Sequence, residues 1–232
     1  VACAAGAADI ATITPFSNNA TVCSYPYEGW GGEVPGTLGL AGLDRLFADT
    51  LAGRVVDLPT AVGFCMFIRR ACLDALGYFD EAAFGRGYGE ENDFSLRAAK
   101  AGWRNVLAAD VFVYHQGAVS FGAGRFALMR EAERTLLGRH PDYNRRVRAF
   151  IAADPLAPLR DAIDRARTDR GVAEARQVLE ERFRERAALR AALRTVQAGS
   201  AAAPAAAQKS MLTLWREWLD EGAVRLGSSV RW

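Results

Sequence analysis

The sequence predicts an α/β layer fold, and three observations predict it. β-Branched or continuously apolar runs at 9–14, 60–68 and 103–114 read as strands. Between them, apolar residues at helical spacing mark short helices near 43–51, 71–76 and 90–101. Each of these helices is followed by a glycine (Gly53, Gly77, Gly102), the usual stop residue. The resulting strand–helix alternation is that of a sheet layered with helices.

Composition limits what such a fold does here. The 232 residues suffice for one full core, or one domain plus an extension. Half are apolar and 24% charged, and the net charge is +2, which argues against nucleic acid as the main partner. The four cysteines, Cys3, Cys23, Cys65 and Cys72, include no C-x-x-C pair, and two histidines cannot frame a structural zinc site. They are expected to be reduced thiols in a cytoplasmic protein, with Cys65 a small buried hydrophobe. No apolar run reaches the ~18–20 residues of a membrane span.

Taken in order, Asp9 to Thr14 is the first strand, expected to stop at Pro15. A polar loop follows, in which Ser17, Asn18 and Asn19 offer groups suited to hydroxyl-rich ligands or to turn backbone. Tyr27 to Gly42 is a glycine-rich loop holding Trp30, long enough to be a lid or binding loop. Thr60 to Ile68 has the continuous apolar character of a strand buried on both faces. Past Gly122, helices are expected at 125–137, 143–153 and 172–196, with a charged segment after Pro155 and Pro158. Ala198 to Ser210 reads as an Ala/Ser/Pro linker, and a last short helix carries Trp215 and Trp218.

The chemistry concentrates between Gly85 and Phe121. Gly85, Gly87 and Gly89 alternate ahead of Glu90-Glu-Asn-Asp93, and a strand ends in His115-Gln-Gly117. On a helix, Glu90, Asp93 and Arg97 share one face while Glu91 points about 100° away. Acids in a first turn offset the helix dipole, and Asp93–Arg97 is an ordinary i,i+4 pair. Yet glycines admit a ligand close to the backbone, and a histidine ending a strand sits where open α/β sheets bind ligands.

Several segments resemble family 2 glycosyltransferases of the GT-A fold. They are Phe64-Cys-Met-Phe-Ile-Arg-Arg70, Gly77-Tyr-Phe-Asp-Glu81, Gly89-Glu-Glu-Asn-Asp-Phe-Ser-Leu-Arg97 and Val113-Tyr-His-Gln-Gly117. They agree in order and spacing with the family's acceptor-side half, over roughly 9–122. The fold so implied is an incomplete GT-A, Rossmann-like mixed sheet with helices, followed by a helical C-terminal extension. Its expected divisions are 1–124 for the acceptor-side part, 125–156 for a helical cap and 157–232 for the extension.

The resemblance implies inverting transfer from a nucleotide-sugar donor to a glycan acceptor, of the kind used in bacterial-type polysaccharide biosynthesis. It places the general base at Glu91, where the family usually has aspartate, with Glu90 close enough to compete. Asp93 would support the site, Arg97 would hold Asp93, and His115 would ligate a divalent cation or touch the donor diphosphate. Asn18, Asn19 and Trp30 would line the acceptor groove, although Trp30 equally suits a packed loop anchor. Mg²⁺ or Mn²⁺ is the expected ion, since one histidine favours oxygen-rich coordination over zinc. Peripheral association with the inner face of the plasma membrane is a further expectation.

The family's Asp-x-Asp metal motif occurs nowhere in the sequence. The chain is therefore expected to lack the nucleotide-binding half and to have little activity alone. A non-catalytic sugar-binding or interaction module is the alternative.

Overall fold

A computed structural model describes residues 6–28, 30–85, 88–116 and 125–200. The sheet is formed by β1 (Ile10–Ser17), β2 (Val55–Asp57), β3 (Phe67–Ile68) and β4 (Arg104–Val113), in the order β2-β4-β1-β3. β1 and β4 run parallel, and the two short outer strands run antiparallel to their neighbours. The helices are α1 (Gly39–Thr50), α2 (Arg70–Leu76), α3 (Glu81–Phe84), α4 (Glu90–Lys100), α5 (Arg125–Arg139), α6 (Tyr143–Ala153), α7 (Ala157–Thr168) and α8 (Val172–Ser200). This is a mixed α/β architecture of the GT-A-like kind with a helical C-terminal part. The chain divides into two units, 1–186 and 187–232, and the described part of the second is the last turns of α8.

β1 extends past Pro15, contrary to expectation, and the reason is local. Pro15 pairs with Ala108, and the register then slips so that Phe16 faces Phe112. A proline lacks the N–H a regular ladder needs, so it fits at an irregularity. On the other side β3 reaches only Thr12 and Ile13, which leaves Pro15 free of a second ladder.

The run at 60–68 is the largest departure. Only Phe67 and Ile68 form a strand, and that strand lies at the sheet edge. The backbone ahead of it is tied by side chains instead. Ala61 N–H donates to Ser95 Oγ at 3.1 Å and Val62 N–H to Thr14 Oγ1 at 3.3 Å. Cys65 is consequently exposed, correcting its expected burial. Continuous apolarity does not distinguish a buried strand from a loop that packs intermittently. The helix α7 emerges where a charged segment was expected, with Pro158 in its first turn where no amide donor is required.

Buried apolar residues join the layers. Phe94 and Ala98 of α4 pack with Ala11 of β1 and Cys72 of α2. Phe47 of α1 meets Phe16 and Phe112, its ring centroid 5.4 and 5.2 Å from theirs. Fully burying an aromatic side chain contributes roughly 1.5–3 kcal/mol, so these contacts fix α1 and α4 on the sheet. A buried polar chain adds register. Thr12 Oγ1 donates to Asn105 Oδ1 at 2.8 Å, and Asn105 Nδ2 donates to Ser95 O at 2.9 Å. β1, β4 and α4 are thereby locked together just behind the α4 N-terminus.

Candidate functional site

The site forms where α4 begins and β4 ends. Gly89 precedes α4 at φ 91°, a left-handed conformation suited to glycine. A Cβ there would lie 3.1 Å from the Phe84 ring, so the position is closed by packing as well. The first turn of α4 then presents Glu90, Glu91 and Asp93, of which Glu91 and Asp93 diverge.

Glu91 faces the 61–66 loop. A Cβ on Gly63 would stand 3.4 Å from Glu91 Cγ, an ordinary contact distance. Its Oε2 accepts from Gly89 N–H at 3.2 Å and its Oε1 from Asn92 Nδ2 at 3.0 Å. Burial, with the neighbouring Glu90 charge, pushes the Glu91 carboxyl up to about 7, the backbone amides offsetting part of that rise. A carboxyl titrating near neutrality can take a proton from a substrate hydroxyl and release it again. Glu90 Oε2 is buried without a hydrogen-bond partner among the described residues.

Asp93 turns to the opposite side. It is 1% exposed, accepts from Arg97 Nε at 2.8 Å through Oδ2, and meets His140 Nε2 at 2.9 Å through Oδ1. Burial alone would raise its pKa, but the His140 and Arg97 hydrogen bonds hold it below its ordinary value. Both oxygens are thus engaged, Oδ1 joining α4 to the α5–α6 turn and Oδ2 bonding Arg97 within α4. Arg97 also donates to the Leu76 and Tyr78 carbonyls, each at 2.8 Å, closing the Gly77 turn.

His115 lies beyond the end of β4, beside the end of its parallel neighbour β1. Its N–H donates to Asn18 Oδ1 at 2.8 Å, and Asn18 Nδ2 donates back to His115 O at 3.1 Å. The same Asn18 amide donates to Gly32 O at 2.6 Å. Asn18 is 1% exposed, so its side chain is committed to joining three chain segments. The imidazole stacks on Phe64, centroids 5.1 Å apart at 20°. Consecutive residues Gly63 and Phe64 therefore lie beside Glu91 and His115 respectively.

The Nδ1 of His115 lies 2.5 Å from the Asn19 carbonyl. A carbonyl only accepts, so Nδ1 carries the proton, and in the neutral ring it is Nε2 that holds the lone pair, as in metal-ligating histidines. Among the described residues, however, no three His, Cys, Asp or Glu side chains come together as a metal site. One oriented imidazole does not fit a divalent ion by itself. Residues 117–124 and Gly87 lie outside the described residues.

Trp30 is half-buried, its Nε1 donating to Glu33 O at 2.9 Å. Tyr27 meets it edge-on at 5.4 Å, and the Arg184 guanidinium lies 5.7 Å from its ring centroid. The loop around it is pinned by α7 and α8. Arg167, with no exposed surface, donates to Glu174 at 2.7 Å, to Tyr25 Oη at 2.9 Å and to both Glu181 oxygens. Glu174 in turn accepts from the Thr37 N–H and hydroxyl.

Sequence reasoning reached Glu91, Asp93 and His115 but not Asn92, Thr60, Tyr143 or Arg167. Thr60 Oγ1 donates to Asn92 Oδ1 at 2.9 Å and Tyr143 Oη to the same oxygen at 3.2 Å. The signal for Asn92 was its place between two acids. Thr60 and Tyr143 carry no local signal, because tertiary packing alone brings them there.

Residues 39–134 match the family described as glycosyltransferase like family 2. This similarity supports glycosyltransferase activity in general. No curated protein and no solved structure matches the chain. Glu90, Glu91, Asp93 and His115 fall inside the matched segment, whereas Asn18, Asn19, Trp30 and α6 to α8 fall outside it. Among the described residues, no helix is long and apolar enough to cross a membrane.

Proposed function

We propose that this chain supplies the acceptor side of an inverting glycosyltransferase acting in glycan assembly, with Glu91 as general base. The observation that carries the reading is the Glu91 carboxyl, raised to about 7 beside Gly63 at the start of α4. In that role it accepts the acceptor hydroxyl's proton as the oxygen attacks the anomeric carbon of the donor. Asp93 acts as a positioning residue through Arg97 and His140. His115, stacked on Phe64 and fixed by Asn18 and Asn19, stands on the donor side of the same edge. Asn19 and the Trp30 loop border that side and are the acceptor-facing candidates. A nucleotide-sugar donor and a glycan acceptor are the substrates in this reading, and Mg²⁺ or Mn²⁺ requires ligands besides His115.

The test joins a family nucleotide-binding half to the chain and measures nucleoside-diphosphate release from a panel of nucleotide sugars, with glycan acceptors and with Mg²⁺ or Mn²⁺. Acceptor-dependent release is expected, and Glu91→Gln is expected to abolish it with donor affinity nearly unchanged. Loss in Glu90→Gln instead would move the base by one residue. A second reading, a non-catalytic sugar-binding module, is favoured by the lack of a three-ligand metal group among the described residues. Glycan binding without release from any donor would select it.

A further inference from the structure

We propose that Asn92 is a positioning residue that clamps the Glu91 carboxylate, and that Tyr143, from a helix beyond the family-matched segment, clamps Asn92. Its consequence for transfer rests on Glu91 being the base, but the hydrogen-bond relay itself does not.

Three elements converge on one amide. Thr60, 6% exposed, comes from the loop ahead of β3, Asn92 from α4, and Tyr143 from the first position of α6. Asn92 Oδ1 accepts both hydroxyls, at 2.9 and 3.2 Å, and its Nδ2 donates to Glu91 Oε1 at 3.0 Å. That orientation is chemically determined. It holds when Glu91 is ionised, because a flipped amide would then set its oxygen against a carboxylate, which can only accept. With the oxygen held by two donors, the amide's N–H is kept aimed at Glu91.

The relay opposes the other influences on Glu91. Burial and the Glu90 charge favour the neutral acid, whereas the Asn92 Nδ2 donor seated on Oε1 favours the carboxylate. Among the described residues, the ionisable groups acting around the relay are Glu90 on α4, Tyr143 on α6 and Glu133 on α5. Burial, then the Glu91 and Glu133 charges, raises the Tyr143 phenol, which stays a donor across the neutral range. Two hydroxyls fixing one amide also restrict the Glu91 rotamer, which a base needs in order to meet its proton in line.

The test uses the full 232-residue chain with carboxyl-¹³C glutamate, titrated by NMR, Glu91 being assigned by its loss in Glu91→Gln. Asn92→Ala removes the donor and is expected to raise the Glu91 midpoint by roughly 0.5–1 pH unit, a three- to tenfold weaker acid. Tyr143→Phe removes one hydroxyl and is expected to give a smaller rise in the same direction. It also keeps the test open should Asn92→Ala fail to fold. An unchanged or lowered midpoint in Tyr143→Phe, with an amide spectrum matching the parent, overturns the relay. The same result in a folded Asn92→Ala does so too. Neither outcome depends on transfer. If Glu91→Gln abolishes diphosphate release while both midpoints stay put, the base survives and the relay falls. If no release is ever found but the midpoints rise, the relay stands and the enzyme reading falls.

Discussion

Arg167 and Glu181 form a two-toothed ion pair with essentially no access to solvent: Nη1 to Oε2 at 2.6 Å and Nη2 to Oε1 at 3.0 Å. The guanidinium's remaining donors reach Glu174 and Tyr25, so one cation satisfies two carboxylates and a phenol. The pair joins α7 to α8 and, through Tyr25 and Thr37, secures the loop that runs past Trp30. The helices following the matched family segment are therefore a support for a loop of the candidate site.

Arg167→Met should destabilise the chain by about 3–5 kcal/mol, because it leaves Glu174 and Glu181 buried without their counter-charge. Adding Glu174→Gln and Glu181→Gln should recover much of that loss, since the stranded charges are then gone. Urea unfolding of the single and triple variants measures both.

For Glu91 the sign of the stability effect is opposite to the usual carboxylate case. Its folded pKa of about 7 lies above the ordinary 4.5, so the native state binds the proton more tightly than the unfolded chain. Stability is unaffected below the ordinary value, falls as pH rises from there to about 7, and is level beyond. Glu91→Gln should therefore be more stable than the parent at pH 8 by on the order of 2–3 kcal/mol and nearly equal at pH 4. Thermal melts at both pH values decide it.

Asp93 follows the other rule. Burial is outweighed by its bonds to His140 and Arg97, which depress its folded pKa. Its contribution is present above the ordinary carboxylate pKa and lost as pH falls through the depressed one. Asp93→Asn should cost roughly 2–4 kcal/mol at pH 7. The difference from the parent should shrink in acid, as followed by urea unfolding at pH 7 and pH 3.

Thiol labelling checks the redrawn 60–68 segment. Cys65 is exposed, while Cys23 and Cys72 are buried. Burial also raises both buried thiols, which keeps them protonated and unreactive. In the native chain Cys65 should react quickly with an aromatic disulfide, and Cys65→Ser should remove one thiol equivalent of fast signal, Cys3 lying outside the described residues. Cys23 and Cys72 should react only on unfolding.

The elements that were legible carry their own punctuation. Gly77 and Gly102 stop α2 and α4, and the first-turn acids announce the start of α4. Glu91 and His115 stood out as candidates because their positions along the chain follow the order of the family's motifs. The 60–68 run misled because its amide donors go to Ser95 and Thr14, partners far along the chain that no local pattern reveals. Asn18 was read as a ligand group, and its engagement with Gly32 and His115 depends on where two other segments arrive. Arg167 lay in a stretch that read as merely charged, and only folding showed it to be sealed among Tyr25, Glu174 and Glu181.

Gly36 carries a final consequence. At φ 78° it lies so close to Arg167 and Glu174 that a Cβ would come within 2.5 Å of each. The loop and the helical extension are thus matched like key and lock, and neither is a free module. Transplanting this extension onto another transferase would fail unless the recipient loop brought a glycine at that place. Conversely, a library of this loop must leave Gly36 and Thr37 untouched.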